Sequence, residues 1–262
     1  MKVISEENRL YLEDAADALI SAKHSAALTG AGISVGSGIP DFRSPGGLWS
    51  VFAPEEYATL EVFYENPEKA WELYRALGRV ISDKKANQAH RALAELEQKG
   101  ILRGIVTQNV DALHQEAGSE TVFEIHGDHQ NLKCLGCQHL ESVSDHHFNS
   151  DQVPLCPRCQ FPLKPNVVLF GEPVRDFDKI ETFISRCDLL LVAGTSAQVF
   201  PAAGIPYSVK QRGGVIFEFN QEASLGVDHF TGISTITDYF FHGNLVRMLP
   251  LLAAAVGDRY EA

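Results

Sequence analysis

Four of the five cysteines stand as two tight pairs, Cys134-x2-Cys137 and Cys156-x2-Cys159, with 18 residues between the pairs. Thiolates two residues apart can grip one ion, and two such pairs complete a tetrahedral, closed shell of the kind that holds structural zinc. Two separate redox Cys-x2-Cys motifs are the other reading of the same letters. The chain opens "MKVISEENRLYLEDAADAL", with acids throughout and no apolar leader, so a cytosolic location is expected, where disulfides are rare. The zinc reading is therefore preferred. His129, His139, His146 and His147 surround the block, but four thiolates already fill a tetrahedron, so none is needed as a ligand. The fifth cysteine, Cys187, sits beside an apolar run and reads as a small buried side chain.

The cysteine block, 130–164, interrupts an alternation of strand-like and helix-like segments. Short apolar runs at 25–29, 103–107, 121–125, 165–170, 188–193 and 214–219 read as strands. Helical periodicity lies between them, at 86–99, 110–117, 176–185 and 201–212, and before them at 6–22 with Ser5 as N-cap. The strand runs are continuously apolar, as in a parallel sheet covered on both faces. An aromatic-rich stretch, 54–80, follows the first strand and its glycine loop and reads as an inserted helical cap. The fold class is thus α/β, one parallel-sheet domain built from 1–129 and 165–262, with a cap at about 50–85 and the zinc module inserted. The longest apolar runs fall well short of the roughly 20 residues that span a bilayer. With 34 acids against 22 bases, net charge −12, the chain lacks the clustered cations that duplex nucleic acid requires. A lysine-bearing protein or peptide suits that balance better.

In an open α/β sheet, ligands bind at the carboxyl ends of the strands. Four polar motifs fall there. "TGAGISVGSGIPDFRS" carries Gly30, Ala31, Gly32 and Ser34, then Asp41, Phe42 and Arg43; its glycines suit a phosphate or simply a tight turn. The spacing departs from the dehydrogenase fingerprint G-x-G-x-x-G. "TQNVDALH" places Gln108, Asn109 and Asp111 at a strand end, where they suit ribose hydroxyls and a carboxamide or serve as a helix cap. "EIHG" sets His126 after a strand, able to titrate near neutral pH. "AGTS" and "FEFN" bring Gly194, Thr195, Ser196 and Asn220 to two more strand ends.

In order and spacing, GAGIS, GIPDFRS, TQNVD, IHG, the four cysteines, PNVVLFGE, GTS and PAA resemble the sirtuin family, the NAD-dependent protein deacylases, over about residues 10–250. The resemblance implies a Rossmann-like domain, NAD as a consumed co-substrate, one structural zinc on Cys134, Cys137, Cys156 and Cys159, and acylated-lysine proteins or peptides as substrates. It implies that Gly30, Ala31, Gly32 and Ser34 hold the diphosphate, that Asp41 steadies the following loop, that Phe42 shields the reacting ribose carbon and that Arg43 meets phosphate. Gly194, Thr195, Ser196 and Asn220 then serve phosphate and the adenosine ribose; Gln108, Asn109 and Asp111 serve the nicotinamide half; Asn109 and His126 are the catalytic pair, with His126 as general base. Val168, Phe170 and Gly171 match the segment that meets the substrate peptide. Desuccinylating members carry Tyr-x-x-Arg in the cap; here Tyr74 is followed at that spacing by Leu77, which favours acetyl or another neutral acyl group. ADP-ribosyl transfer or NAD hydrolysis in the same pocket, and a noncatalytic zinc-ribbon adaptor, are the rival readings. A monomer is expected.

Overall fold

The computed structural model describes residues 1–41, 47, 50–227, 234 and 236–260. Seven parallel strands form the main sheet: β1 (Lys2–Ile4), β2 (Ser25–Thr29), β3 (Leu102–Thr107), β4 (Val122–Glu124), β8 (Leu189–Ala193), β9 (Val215–Asn220) and β10 (Tyr239–His242). Their order is β1-β10-β9-β8-β2-β3-β4. Between them in sequence, β5 (Gly127–Cys134), β6 (Leu140–Ser142) and β7 (Leu163–Val167) make a separate antiparallel sheet, ordered β6-β5-β7.

Alternation along the central strands decides what each face packs against. On β2 and β8, Ala27, Leu189, Leu191 and Ala193 face one core layer, shared with helices Leu12–Ser21, Gln88–Gln98 and Leu245–Tyr260. Their neighbours Ala26, Leu28, Leu190 and Val192 face the other, against helices Phe177–Ser185 and Ile205–Gln211. Both faces are covered, which is why these strands read as unbroken apolar runs rather than alternating ones. Cys187 belongs to the second layer, and burial pushes its thiol up to about 12, so it is an inert packing group as expected.

The run 165–170 behaves differently from the other apolar runs. Its strand, β7, pairs antiparallel with β5 in the small sheet, not with the parallel strands. Length and apolarity alone do not distinguish the two environments. Two strands carried too little pattern to be foreseen: the three-residue edge strand β1, and β10, which lies between it and β9. The helix expected over 110–117 is confined to Leu113–Glu116, because Ala112 adopts a left-handed conformation (φ 59°) just before it.

The cap consists of helices Pro54–Tyr57, Leu60–Glu65 and Pro67–Ile81. Local chemistry starts the last two: Thr59 accepts from the Val62 N–H and Asn66 from the Lys69 N–H, and Pro67 fits the first helical turn, where no N–H is required. Phe63, Trp71, Leu73 and Tyr74 of the cap share one buried cluster with Leu132, Phe148, Leu163 and two of the zinc-motif cysteines. The Trp71 indole N–H donates to the Leu163 carbonyl at 2.8 Å, and Gly78 abuts Phe148 so closely that a Cβ there would sit 2.6 Å from the ring. Cap and cysteine block are thus one small lobe.

Three buried histidines, His90, His114 and His129, and the half-buried His126 make the fold acid-sensitive. Burial pushes His90 and His129 down to about 4 and holds His114 and His126 below their ordinary range. Well above pH 6.5 these rings are neutral folded or unfolded and contribute no pH dependence. Below it the unfolded chain takes up protons that the native state refuses, so stability falls as pH drops, by up to about 1.4 kcal/mol per unit for each ring. Urea midpoints are expected to be level above about pH 7.5, to begin falling as pH approaches 6.5 and to fall steeply by pH 5.5. A level profile down to 5.5 refutes the neutral core.

Candidate active site

The parallel register lines up the carboxyl ends of five strands. Thr29 pairs with Thr107 on one side and Ala193 on the other, Thr107 pairs with Glu124, and Ala193 with Phe219. The residues that follow, Gly30, Gln108, Ile125, Gly194 and Asn220, therefore leave the sheet along one edge. Between β2 and β8 the chain order reverses, so the loops after these strands diverge, the usual seat of a ligand crevice. A cavity of about 900 Å³ opens there, between this edge, the cap and the 167–172 segment.

The glycines of the first loop serve close packing as well as access. The Gly30 N–H donates to the Ala193 carbonyl and the Gly32 N–H to the Gly194 carbonyl, at 3.1 and 2.8 Å. A Cβ on Gly32 would lie 2.7 Å from the Gly194 Cα, so only glycine lets the two loops touch. Gly30, Ala31 and Gly32 line the cavity, as do Asp41, Gly194, Thr195, Ser196 and Asn220. The N–H groups of Gly30, Gly32, Ile33 and Ser34 are all used within the protein. Among the described residues the Ala31 N–H has no partner, which makes it this loop's available main-chain donor. Phe42 and Arg43 lie outside the described residues.

Ser34 and Asp111 sit below the cavity floor. The Ser34 hydroxyl donates to Asp111 Oδ2 at 2.6 Å and accepts from Asn109 Nδ2 at 3.1 Å. Asn109, which does line the cavity, also donates from Nδ2 to the Gly30 carbonyl (3.2 Å). Asp111 Oδ1 accepts from the Leu113 N–H, the local turn that such a residue can make unaided. The capping role and the site role coexist: Asp111 fixes Ser34, Ser34 fixes the Asn109 amide, and Asn109 faces the cavity. Gln108 ties three strand ends together, with Nε2 donating to the Thr29 carbonyl and to Thr195 Oγ1 (3.3 and 2.9 Å).

His126 lines the cavity at the junction of the two sheets. Its Nδ1 lies 3.0 Å from the Gln108 carbonyl, which can only accept, so Nδ1 carries the proton and Nε2 is left as a lone-pair base. Burial lowers its pKa from the ordinary value, partly opposed by that backbone bond, so the ring is neutral and ready to take a proton at neutral pH. Gly127 beside it has φ +82°, and a Cβ there would strike the Asn166 carbonyl; a side chain at this position would displace the histidine's support.

Val168, Phe170 and Gly171 line the same cavity. The Val168 N–H donates to the His126 carbonyl (2.8 Å), and Phe170 exchanges main-chain bonds with Ala58 and Leu60 of the cap (3.0 and 2.9 Å). Phe170 is half exposed. Lys164, almost wholly buried, holds this segment from below, with Nζ 3.0 Å from Glu172 Oε2, while the same oxygen accepts from the Leu169 N–H.

Several lining residues were not foreseen. These are Leu73 of the cap, Gln198, Val199 and Phe200 after β8, and Gln221 to Ser224 after β9, whereas Tyr74 and Leu77, the pair set against the Tyr-x-x-Arg motif above, line the cavity as well. Only tertiary packing brings the cap helix over the sheet edge, and periodicity marks those leucines simply as core. The signal at 221–224 was available, since these residues directly follow a strand end.

The four cysteine sulfurs lie within 4.8 Å of one another, with Cys134–Cys159 at 3.4 Å and Cys137–Cys156 at 3.6 Å. Those separations far exceed a disulfide's roughly 2.05 Å. They approach the roughly 3.8 Å edge of a tetrahedron with 2.3 Å zinc–sulfur bonds. The donor set fits one structural zinc ion. Among the described residues no helix is long and apolar enough to cross a membrane.

A parallel α/β sheet, a crevice at its switch point and a four-thiolate knuckle beside it together define a dinucleotide-type site with a small metal-stabilised lobe. The Sir2 family model matches residues 30–201. A NAD-dependent protein deacylase of Thermococcus kodakarensis is 42% identical over 254 residues, 94% of this chain and 96% of that protein. Among solved structures, a Sir2 homolog–NAD complex superposes with a TM-score of 0.83 at 38% identity, covering 94% of each chain. A Sir2 protein bound to a deacetylated p53 peptide and 3′-O-acetyl-ADP-ribose superposes at 0.85 with 32% identity, covering 94% of this chain and 98% of that one. The chain belongs to the Sir2 family.

Proposed function

We propose that this protein is an NAD-dependent protein-lysine deacetylase, releasing nicotinamide and transferring the acyl group of a lysine side chain to ADP-ribose. The observation that carries the proposal is the neutral, half-buried His126, with Nδ1–H fixed on the Gln108 carbonyl and Nε2 left as the base, in the lining of the cavity shared with Asn109 and the glycine loop. The relative named a deacylase, and the solved complexes with NAD and with a deacetylated peptide, support the same reading.

Bound NAD would supply a ribose carbon that loses nicotinamide and accepts the amide oxygen of the acyl-lysine. Around it this chain's residues have separate tasks. Gly30, Ala31, Gly32, Gly194, Thr195, Ser196 and Asn220 form the wall for the dinucleotide's phosphates and adenosine; the Ala31 N–H and the Thr195 and Ser196 hydroxyls are its polar contacts. Asn109, its amide held by Gly30 and Ser34, orients the nicotinamide half. His126 Nε2 accepts a ribose hydroxyl proton, which makes that oxygen the nucleophile toward the acyl carbon. Tyr74, Leu77 and the Val168–Gly171 segment exclude water from the charged centre as it develops.

The acyl end of this cavity favours a neutral group. Leu73 and Leu77 are apolar, Tyr74 offers a hydroxyl with no partner among the described residues, and burial keeps that phenol protonated. No Lys or Arg is among the described residues lining the cavity, whereas Asp41, Glu172 and Glu222 are. A distal carboxylate would be desolvated without a cationic partner, and a lost charge-assisted contact is worth about 1.5–3 kcal/mol. Acetyl-peptide is therefore expected to turn over at least about tenfold faster than succinyl-peptide at equal concentration, with O-acetyl-ADP-ribose as product. Faster desuccinylation sinks the acyl assignment; free ADP-ribose or labelled protein in place of O-acyl-ADP-ribose sinks deacylation itself.

A further inference from the structure

Strand β9 reads Val215-Ile216-Phe217-Glu218-Phe219-Asn220, and Glu218 lies between two fully buried phenylalanines with about 1% of its surface exposed. Among the described residues no lysine or arginine pairs with it. A carboxylate in such a place is costly unless several donors converge on it. Four do. Oε1 accepts from the Ser224 N–H at 2.6 Å, the Ser224 hydroxyl at 3.0 Å and the Leu225 N–H at 3.3 Å, and Oε2 accepts from the Thr237 hydroxyl at 2.6 Å. Three of these donors belong to the turn directly after Asn220, whose residues 220–224 form one wall of the cavity. The same turn is tied across to the loop after β8: Asn220 Nδ2 donates to the Thr195 carbonyl at 3.3 Å, and the single Ser224 hydroxyl proton is shared between that carbonyl, also at 3.0 Å, and Glu218.

We propose that Glu218 is a positioning residue for the dinucleotide: its carboxylate clamps the 224–225 turn from inside the sheet and so sets the height of the Asn220–Ser224 wall against Thr195. The inference rests on the assignment of this wall to the cofactor made above. Glu218 itself does not line the cavity; it acts through the turn it holds. Shape is satisfied by any residue of similar size, but only an acceptor at this point collects both main-chain N–H groups and both hydroxyls. Removing it leaves the Ser224 and Leu225 N–H groups and the Thr237 hydroxyl without their acceptor on one side of the crevice and disturbs nothing on the other, so the loss should fall on the cofactor and spare the acyl-lysine.

The test is calorimetric titration of Glu218→Ala, Glu218→Gln and Thr237→Val with ADP-ribose and with NAD, alongside steady-state kinetics. Glu218→Ala is expected to weaken ADP-ribose binding about 10- to 100-fold. Its kcat at saturating NAD and its KM for acetyl-peptide should stay within about threefold of the parent. Glu218→Gln, which restores an acceptor oxygen, should recover most of the affinity, and Thr237→Val should lose about 3- to 10-fold. If Glu218→Ala does not fold, the other two variants decide the matter by the same measurement. A lowered melting temperature with unchanged ADP-ribose affinity overturns the proposal, as does an equal fall in kcat. Asn220→Ala serves as the contact control. Weak binding there with normal binding in the Glu218 and Thr237 variants overturns the clamp alone, whereas normal binding in all of them overturns the cofactor assignment of the wall and the clamp with it.

Discussion

Replacing His126 by alanine is expected to leave a folded protein whose deacetylation rate is about 10²–10⁴-fold lower, the usual span for a lost general base. Folding should survive, because the ring contributes one hydrogen bond, to the Gln108 carbonyl, worth about 1 kcal/mol against a typical total of 5–15 kcal/mol. NAD binding should be little changed, since the glycine loop and the β8 and β9 ends are untouched. The pH profile gives a second readout. Burial lowers the His126 pKa, so kcat/KM should rise on an acid limb centred below pH 6.5 and be level above it. In the alanine variant that limb should vanish. A variant that keeps a tenth or more of the parent rate, or a parent limb centred above 7, removes His126 from the mechanism.

Stripping the zinc is expected to abolish activity as completely, by a different route. Structural four-cysteine sites bind zinc with apparent free energies of about 10–16 kcal/mol, comparable to a whole domain's stability. Cys134 and Cys156 are fully buried and belong to the cluster that also contains Trp71, Leu73 and Tyr74. Leu73 and Tyr74 in turn line the cavity. Without the ion, four thiols would face one another in that cluster, and the cap helix would lose the surface it packs on. Chelation, or Cys134→Ala, should therefore cause loss of the lobe's protease resistance together with loss of activity. The main sheet should retain its secondary structure, since both its core layers are built from other residues. A zinc-free protein that is folded and active would show that the lobe stands without the metal.

The two predictions rest on features of different legibility. Four cysteines in two close pairs bring their own geometry, because a two-residue spacer places both thiolates on one ion whatever surrounds them. The parallel α/β class was legible for a similar reason: strands buried on both faces must be apolar throughout, and the helices between them carry their period in the chain. The polar residues Gln108, Asn109, His126 and Asn220 were legible because each stands at a strand's last residue or within two residues beyond it, and strand ends in such a sheet converge.

Other features depend on contacts between segments far apart in the chain. The cap and the cysteine block look like two unrelated inserts, yet Trp71 against Leu163 and Gly78 against Phe148 make them one lobe. The run 165–170 has the letters of a sheet strand, but its partner is β5 of that lobe. The protonation state of His126 depends on burial and on a carbonyl 18 residues away in sequence, and Glu218 has meaning only through a turn that folds back on it. From the letters alone follow the five parallel strands β2, β3, β4, β8 and β9, most helices between them, the thiolate quartet and the row of polar strand ends, but not the C-terminal helix Leu245–Tyr260, because local spacing and periodicity act within a few residues. Tertiary structure alone decided which glycines are needed for loop-to-loop contact, which histidines are kept neutral and which walls close the crevice, because burial, electrostatics and close approach are properties of neighbours in space.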